Sequence, residues 1–156
     1  MIRPAEPEDR PRVEAFLDRH GSSRVARLGE LLRPIDQQVL IAEDRGLLAG
    51  VLTYTLSEEI CEVLSIHAAQ RWRGTGTELL AELERIAYEA GCARVTLITT
   101  NDNVDALRFY QRRGYRLLRL HPGAVDGSRA RLKPEIPEMG EYSIPLRDEI
   151  ELEKPL

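Results

Sequence analysis

Residues 70–91 read QRWRGTGTELLAELERIAYEAG, and this stretch decides the fold. Apolar side chains recur through its second part at the spacing of a helix with one buried face: Leu79, Leu80, Leu83, Ile86, Ala87 and Ala90. Gly91 stands where a helix commonly ends in a left-handed residue. Upstream, residues 60–66 read ICEVLSI, which predicts a strand. We therefore expect a strand, a glycine-rich turn and a helix.

The turn in this unit has the composition of an anion-binding loop. Gly74 and Gly76 lack Cβ atoms, so backbone N–H groups there can approach a ligand closely. The first turn of the following helix presents further N–H donors at the positive end of the helix dipole. Arg71 and Arg73 add positive charge. These features favour a phosphate or pyrophosphate ligand, although a glycine turn that only leads into a core helix has the same composition.

The length, charge and cysteine content of the chain limit the classes of protein to which it can belong. A length of 156 residues favours a single domain, and a net charge of −4 disfavours broad binding to nucleic acids or anionic membranes. No apolar run reaches the roughly 18 residues of a membrane-spanning helix, and the polar start MIRPAEPEDR is unlike a signal peptide. Cys61 and Cys92 lie in apolar runs, so we expect two reduced core thiols, which fits a cytoplasmic protein.

The first half of the chain predicts a helical start and an antiparallel meander. Expected elements are a strand at 1–3, helices at 8–20 and 24–32, and strands at 38–43, 47–56 and 60–66. The sequence Asp44-Arg45-Gly46 predicts a hairpin turn between the second and third of these strands. Gly50 lies inside a strand, which indicates a bulge or a close approach of another backbone.

The second half predicts two more strands around a helix, followed by an irregular segment. Expected elements are a strand at 93–100, a helix at 104–113 and a strand at 115–120. Asn101, Asp102 and Asn103 offer oxygens that can cap the helix. Residues 121–146 are rich in proline and glycine and predict a long irregular connection. Residues 148–153 alternate polar and apolar side chains, which predicts a final edge strand.

Two sequence blocks resemble the GCN5-related N-acetyltransferase (GNAT) family. Arg71-x-x-Gly74-x-Gly76 is similar to that family's (Q/R)-x-x-G-x-(G/A) motif. The second block, similar to N-x-x-A-x-x-(F/L)-Y-x-x-x-G-(F/Y), reads Asn101-Asp102-Asn103-x-x-Ala106-x-x-Phe109-Tyr110-x-x-x-Gly114-Tyr115. Their order and separation also agree, and the resemblance covers nearly everything except residues 121–146.

The resemblance implies an α/β fold of the α+β type. The family has a mixed, mostly antiparallel central sheet whose fourth and fifth strands splay apart, flanked by about four helices, with acetyl-CoA in the V-shaped opening. It implies a single N-acetyltransferase domain over residues 1–156. The activity implied is transfer of an acetyl group from acetyl-CoA to a primary amine of a small molecule or peptide, with coenzyme A as product. A homodimer is compatible with it, and we expect no metal site.

Site residues follow from the resemblance position by position. The backbone of the turn is expected to hold the pyrophosphate through Arg71, Trp72, Arg73, Gly74, Thr75, Gly76 and Thr77. Trp72 stands where the family often has glycine, so the loop shape can differ there. Ile66, His67 and Ala68 are expected to pair with the pantetheine arm, and Asn103 to bond the arm from the other side. Tyr110 is expected near the thioester sulfur.

Two residues are candidates for proton transfer. Tyr110 can donate a proton to the departing thiolate as general acid, although a helical tyrosine beside Phe109 is often a core residue. Glu62 lies mid-strand among apolar neighbours and is our candidate general base, against the alternative of an exposed glutamate. His67 and Glu59 are reserve bases, and a structural role suits His67 better.

Two other functions compete with this interpretation. A P-loop or dinucleotide-binding protein is disfavoured, because no Lys-Ser/Thr follows the second glycine and a third spaced glycine is missing. A non-catalytic acyl-CoA sensor or interaction module on the same fold stays open. Within the family the acceptor site is built by the first helices and the loop between the last strands. Here these are residues 20–37 and 121–146, which do not identify the amine.

Overall fold

The computed structural model describes residues 1–71 and 73–156. Along the chain the elements are β1 (Ile2–Pro4), α1 (Arg10–Arg19), β2 (Val25–Arg27), β3 (Glu30–Leu32), β4 (Gln38–Asp44), β5 (Leu47–Leu56), β6 (Ile60–Ala68), α2 (Thr75–Glu89), β7 (Arg94–Thr100), α3 (Val104–Arg112), β8 (Arg116–His121), α4 (Ala124–Arg131) and β9 (Glu149–Pro155). None of these helices is long and apolar enough to cross a lipid bilayer.

The chain divides into two compact units. The first holds residues 1–25 and 33–95 together with Leu156, and the second holds residues 26–32 and 96–155. The first unit therefore carries α1, α2 and the strands β1, β4, β5 and β6. The second carries the β2–β3 pair, α3, α4, β8, β9 and most of β7.

The strands of the first unit form the predicted antiparallel meander, in the order β1-β4-β5-β6. Arg45 and Gly46 connect β4 to β5 with φ values of 53° and 77°. Positive φ at both central residues is what a two-residue type I′ hairpin turn requires. The predicted hairpin is therefore confirmed.

Helices cover both faces of this meander. Val13, Phe16 and Leu17 of α1 pack in one cluster with Ile41 and Val51, which are opposite each other in the β4–β5 register. On the other face α2 buries four of its predicted stripe residues: Leu79, Leu80, Leu83 and Ala87. Two-sided burial explains why β4 and β5 read as nearly continuous apolar runs.

A network of four charged side chains ties the start of the chain to this unit. Arg3 bonds Asp9 at 2.8 Å and Glu43 at 2.9 Å, and Arg12 bonds the same two carboxylates at 2.6 and 2.8 Å. Asp9 is buried. Its hydrogen bonds with Arg3, then with the Glu6 backbone and Arg12, hold the pKa of its carboxyl well below the usual range.

The predicted helix over residues 24–32 is wrong. The segment forms the strands β2 and β3, joined by Leu28 and Gly29 with φ values of 48° and 77°. This is again the positive-φ pair of a tight hairpin. Glu149 fixes the turn, because its Oε1 accepts a hydrogen bond of 3.0 Å from the Leu28 N–H. Short strands of Val-Ala-Arg and Glu-Leu-Leu carry too little periodicity to distinguish the two structures.

The strands of the second unit lie in the order β7-β9-β8, and β8 runs antiparallel to β9. The prediction that the last strand lies at an edge is wrong, since β9 has a neighbour on each side. Glu149 and Leu152, which are three residues apart and so lie on opposite faces of β9, are both almost fully enclosed. The helix after β7 is confirmed as α3, with Asn103 as its N-cap.

The segment 121–146 is less irregular than its composition predicts. It contains α4, whose N-cap Gly123 has a φ of 72°, and a bridge between Met139 and Pro145. α4 reads AVDGSRAR, where a central glycine and few apolar residues hide the helix from pattern analysis.

Two neighbouring side chains fasten this segment to the start of α3. Asn101 Oδ1 accepts from the N–H groups of Arg147 and Asp148 at 3.0 Å each, and its Nδ2 donates to Pro145 O at 2.8 Å. Asp102, which is buried, accepts from the Glu141 N–H at 2.9 Å. The segment is therefore anchored at two points along its second half.

Candidate active site

The glycine-rich turn leads from β6 into α2 through a residue that only glycine adopts readily. Gly74 is the N-cap of α2, with φ 82° and ψ −2°, and no side chain in the described part of the chain caps the helix there. A Cβ built on Gly74 has no atom of the described residues within 4 Å, so these residues leave the space beside this backbone open. Residue 74 is therefore a glycine because its backbone is left-handed, and not because neighbouring atoms would clash with a side chain.

The first turn of α2 offers main-chain donors to a ligand. The helix begins with the bond from Glu78 N–H to Gly74 O at 3.0 Å. N–H groups earlier in a helix have no partner inside it, and they lie at the positive end of its dipole. Arg71 and Arg73 are exposed beside this turn. Trp72, also predicted to bind the cofactor, lies outside the described residues.

Gly50 of β5 brings this turn against the sheet. A Cβ on Gly50 would lie 2.7 Å from Cγ2 of Thr75 and 3.0 Å from Cδ1 of Leu79. It would also lie 3.0 Å from the carbonyl oxygen of His67. Any other residue would push the first turn of α2 outwards. The sequence prediction of a close approach at Gly50 is confirmed.

The end of β6 places its side chains on alternate faces. Ile66, His67 and Ala68, the residues predicted for the pantetheine arm, pair in register with Leu52, Val51 and Gly50 of β5. Ala68 shares the face of Gly50, which is covered by α2, whereas His67 shares the opposite face with Val51. The register shifts at Leu64, which is the extra residue of a bulge.

His67 belongs to a polar cluster that sequence reasoning missed. Its Nε2 lies 2.6 Å from Oγ of Ser22, and its ring stacks on His20 at 5.0 Å. His20 in turn stacks on Phe16 at 4.3 Å. Burial and the neighbouring His20 lower the pKa of His67 to about 4, so its imidazole is neutral near pH 7. Nothing in the spacing of residues 20, 22 and 67 signals this contact.

The two acidic candidates differ in surroundings. Glu62 is half-buried on β6 and pairs with Thr55, while its neighbours Cys61 and Val63 are buried on the other face. Glu59 is exposed, and its carbonyl oxygen accepts from the Ala93 N–H at 2.7 Å. Glu62 is thus the more enclosed of the two carboxylates. Such enclosure suits a general base in a site that is shielded from water.

Tyr110 and Asn103 lie on α3 in the second unit. Tyr110 is 5% exposed, with its ring edge-on to Phe109 at 5.1 Å and to Tyr115 at 5.5 Å. Burial raises the pKa of Tyr110, so the phenol stays protonated. Asn103 Oδ1 accepts from the Ala106 N–H at 3.1 Å. This cap uses the oxygen of the side-chain amide and leaves its NH2 group for a ligand.

Comparison with known families shows to which family this chain belongs. Residues 4–115 match the family described as Acetyltransferase (GNAT) family. The chain belongs to the GNAT family. The matched range includes both sequence blocks that resemble it, and also the β2–β3 hairpin that the sequence failed to predict.

Two relatives from Bacillus subtilis (strain 168) support the assignment to the GNAT family. YdhI is 48% identical over 107 residues, which cover 69% of this chain and 66% of YdhI, just under two thirds of that protein's length. YxbD is 38% identical over 146 residues, covering 92% of this chain and 91% of YxbD. Both carry the description "uncharacterized protein", so neither indicates a substrate.

Solved GNAT structures share the fold at low sequence identity. An IAA acetyltransferase from Bacillus cereus ATCC 14579 is 21% identical with a TM-score of 0.76, covering 100% of this chain and 99% of its own. A GNAT family acetyltransferase from Elizabethkingia anophelis with acetyl-CoA bound is 20% identical with a TM-score of 0.70, covering 100% and 97%. The predicted fold class, a mixed and mostly antiparallel sheet with four helices, is confirmed.

Proposed function

We propose that this chain is an acetyl-CoA-dependent N-acetyltransferase that moves an acetyl group to a primary amine of a small molecule or peptide by direct attack on the thioester. The observation that carries the proposal is the start of α2. There Gly74, in the motif Arg71-x-x-Gly74-x-Gly76, adopts a left-handed conformation and leaves the first helical turn without a side-chain cap. The GNAT structure from Elizabethkingia anophelis with acetyl-CoA bound supports this choice of donor.

The residues present fit a diphosphate group at the turn. Among residues 1–71 and 73–156, no side chain fills the space beside Gly74 and none caps the helix where main-chain donors converge. We propose that the backbone of residues 71–77 holds the pyrophosphate of acetyl-CoA. We further propose that Ile66, His67 and Ala68 bind the pantetheine arm through their backbone, and that the NH2 group of Asn103 donates to it.

The chain's own groups would then serve the transfer in distinct ways. When bound, acetyl-CoA supplies an activated thioester carbonyl. Binding at a fixed position aligns an amine with that carbonyl, and alignment alone accounts for much of the rate of such reactions. Tyr110 holds its proton through burial and would give it to the departing sulfur. Glu62 would accept the proton that the amine must lose.

Calorimetry and a coupled transfer assay test the proposal together. Purified protein should release heat on titration with acetyl-CoA, and a thiol reagent should detect coenzyme A when an amine panel is added. Gly74→Glu should abolish the heat of binding. Failure of wild-type protein to bind acetyl-CoA or coenzyme A would refute the proposal.

The assay also distinguishes an enzyme from an acyl-CoA sensor. A sensor would be stabilised thermally by acetyl-CoA but would release no coenzyme A with any amine. An enzyme should show release that depends on both the amine and Tyr110. Mass spectrometry of cell extract incubated with labelled acetyl-CoA would identify the acceptor.

A further inference from the structure

We propose that a cavity on the second unit binds the carboxylate of the acceptor, so that the acceptor is an amphipathic amino acid or a compound with the same end group. The inference rests on the proposed function for the transfer itself. The cavity has a volume of about 590 Å3 and lies between the turn of the β2–β3 hairpin, the end of β8 and α4. This volume suits a small molecule.

Five of the ten described residues that line the cavity are apolar. Leu28, Leu120, Pro122, Ala124 and Leu132 contribute to its lining. Leu28 and Leu120 are 41% and 59% exposed, so their apolar surface is accessible to a ligand. An apolar ligand body of the size of a leucine or phenylalanine side chain would cover them.

A buried carboxylate holds the β2–β3 turn, which forms one wall of the cavity, in place. Glu149 is 2% exposed, and its carboxylate accepts the N–H of Leu28 at 3.0 Å. Leu28 itself has a φ of 48°, which a leucine adopts only when its surroundings fix it. The cavity is therefore preformed rather than dependent on ligand binding.

Arg131 contributes positive charge to the cavity. It is the only arginine or lysine among the described lining residues, and no carboxylate lines the cavity, although the chain as a whole carries a net charge of −4. Arg131 has no ion pair within the described residues, and two carboxylates of the same unit pair with other side chains. Asp126 pairs with Arg129 at 2.8 Å, and Glu151 pairs with His121 at 2.6 Å.

Gly127 determines where the guanidinium of Arg131 lies. A Cβ on Gly127 would be 2.5 Å from Nη2 of Arg131 and 3.3 Å from its Cζ. The arginine therefore lies flat against the backbone of α4, in space that exists because residue 127 has no side chain.

Ser128 supplies a second polar group next to Arg131. It is 3% exposed and lines the cavity, and its Oγ has no hydrogen-bond partner among the described residues. Buried hydroxyl groups are normally satisfied, so this one indicates a missing acceptor. A carboxylate can accept from both a guanidinium and a hydroxyl. One cation and apolar walls suit a carboxylate better than a phosphate dianion.

Isosteric ligand pairs test the carboxylate directly. L-leucine and L-leucinamide, and L-phenylalanine and L-phenylalaninamide, differ in the negative charge and keep the amine and the side chain. Calorimetry on wild-type protein saturated with coenzyme A should show at least one acid binding about tenfold tighter than its amide. The acid of that pair should also be acetylated with the higher kcat/KM.

Three variants locate the effect in the cavity. Arg131→Ala should reduce the acid-to-amide ratio of affinities to about one. Gly127→Ala should lower the ratio while leaving every charge in place, because its methyl group displaces the guanidinium, and alanine favours the helix. Arg116→Ala, which removes an exposed arginine of β8 outside the cavity, should leave the ratio unchanged.

Two results would overturn the acceptor class. One is equal binding of acid and amide to wild-type protein in both pairs, and the other is a ratio that Arg131→Ala leaves unchanged. Coenzyme A binding, measured on the same samples, reports separately on the proposed function. Normal coenzyme A binding with no preference for the acid refutes only the carboxylate site. Absence of coenzyme A binding refutes the transferase proposal, while the acid-to-amide ratio, measured without coenzyme A, still tests the cavity.

Discussion

The phenol of Tyr110 is enclosed by aromatic rings, and this enclosure keeps it protonated. An ordinary tyrosine loses its proton near pH 10. Burial raises the pKa of Tyr110 above that value, so the group able to donate a proton persists to more alkaline pH. A buried tyrosine can equally serve only to fill the core, and the two roles predict different kinetics.

Tyr110→Phe should lower kcat by about 10²- to 10⁴-fold with little change in acetyl-CoA affinity, because it removes the proton and keeps the ring. Steady-state kinetics and calorimetry measure the two quantities. Tyr115→Phe is a matched control, since Tyr115 packs edge-on against the same ring. Parallel loss of kcat and cofactor affinity in Tyr110→Phe would show that the residue is structural.

His67 should make the stability of the protein depend on pH between about 6.5 and 4. Its folded-state pKa of about 4 lies below the ordinary histidine value, so the unfolded chain takes up a proton first as pH falls. The free energy of unfolding should therefore decrease over this window, by up to about 3 kcal/mol. His67→Gln, which can still bond Ser22, should flatten the decrease. Urea unfolding at several pH values measures it, and identical slopes in both proteins would contradict the assignment.

Single residues of the site were predictable only where a motif carries them. Gly74 and Asn103 belong to sequence blocks, and their left-handed and capping geometries follow from residue type. Ser22 lies 45 residues from His67 and carries no local signal. Arg131 owes its position to the missing side chain of Gly127, a tertiary effect that no periodicity reports.

At the scale of the element, α2 has a left-handed glycine beyond each end. Gly74 has a φ of 82° and Gly91 a φ of 87°, and a Cβ on either would have no atom within 4 Å. Substitution by any other residue therefore costs a similar backbone strain at both positions, of about 1 kcal/mol. Only Gly74 lies at the donor end of the helix.

Gly74→Glu and Gly91→Glu form a matched pair for the phosphate turn. Both should lower the melting temperature by a similar amount. Gly74→Glu should abolish acetyl-CoA binding, because a carboxylate would occupy the anion site, whereas Gly91→Glu should bind normally. Calorimetry on the two proteins measures the difference. Retained affinity in Gly74→Glu would remove the turn from the proposed site.

The two tight hairpins carry avoidable strain. Arg45 has a φ of 53° at the first central position of the β4–β5 turn, where asparagine is preferred. Arg45→Asn should raise the free energy of unfolding by about 0.5–1 kcal/mol. Arg45→Lys keeps the charge and the strain and should have no effect. Urea denaturation compares the three proteins, and an unchanged midpoint in Arg45→Asn would contradict a strained turn.

Predictability of the elements followed their length and periodicity. The 15 residues of α2 and the 10 of β5 repeat apolar positions often enough to define their structure. β2 and β3 have three residues each and were assigned to a helix. α4 has eight residues with a glycine in the middle, and its helix depends on packing that the sequence does not display.

At the scale of the molecule, the family could be predicted from the sequence because two separate blocks, residues 71–76 and 101–115, both resemble its motifs. One block follows β6 and includes the first residues of α2, and the other runs from the residue after β7, through α3, to the residue before β8. The acceptor left no such trace, since residues 20–37 and 121–146 match neither block. The proposed cofactor turn depends on main-chain geometry that glycines reveal, whereas the proposed acceptor cavity depends on side chains brought together by folding.

The ion network around Asp9 should govern stability in acid. Its folded pKa is held well below the ordinary value by Arg3, the Glu6 backbone and Arg12, so the stabilisation is present above about pH 4 and is lost as pH falls below it. Asp9→Asn should lower the melting temperature at pH 7, and its difference from wild type should shrink towards pH 2. Thermal unfolding followed by circular dichroism measures this. A constant difference at all pH values would exclude the charge as the cause.

Both thiols of the chain are buried and free, and burial raises the pKa of Cys61 to about 12. The Cys61 sulfur is therefore a poor nucleophile at neutral pH, because thiols react as thiolates, and burial shields the Cys92 sulfur from reagents. A cysteine placed at an exposed position such as Tyr88 would be the one site open to a maleimide dye. Fluorescence reporters of ligand binding can thus be built on the natural sequence without first deleting its own cysteines.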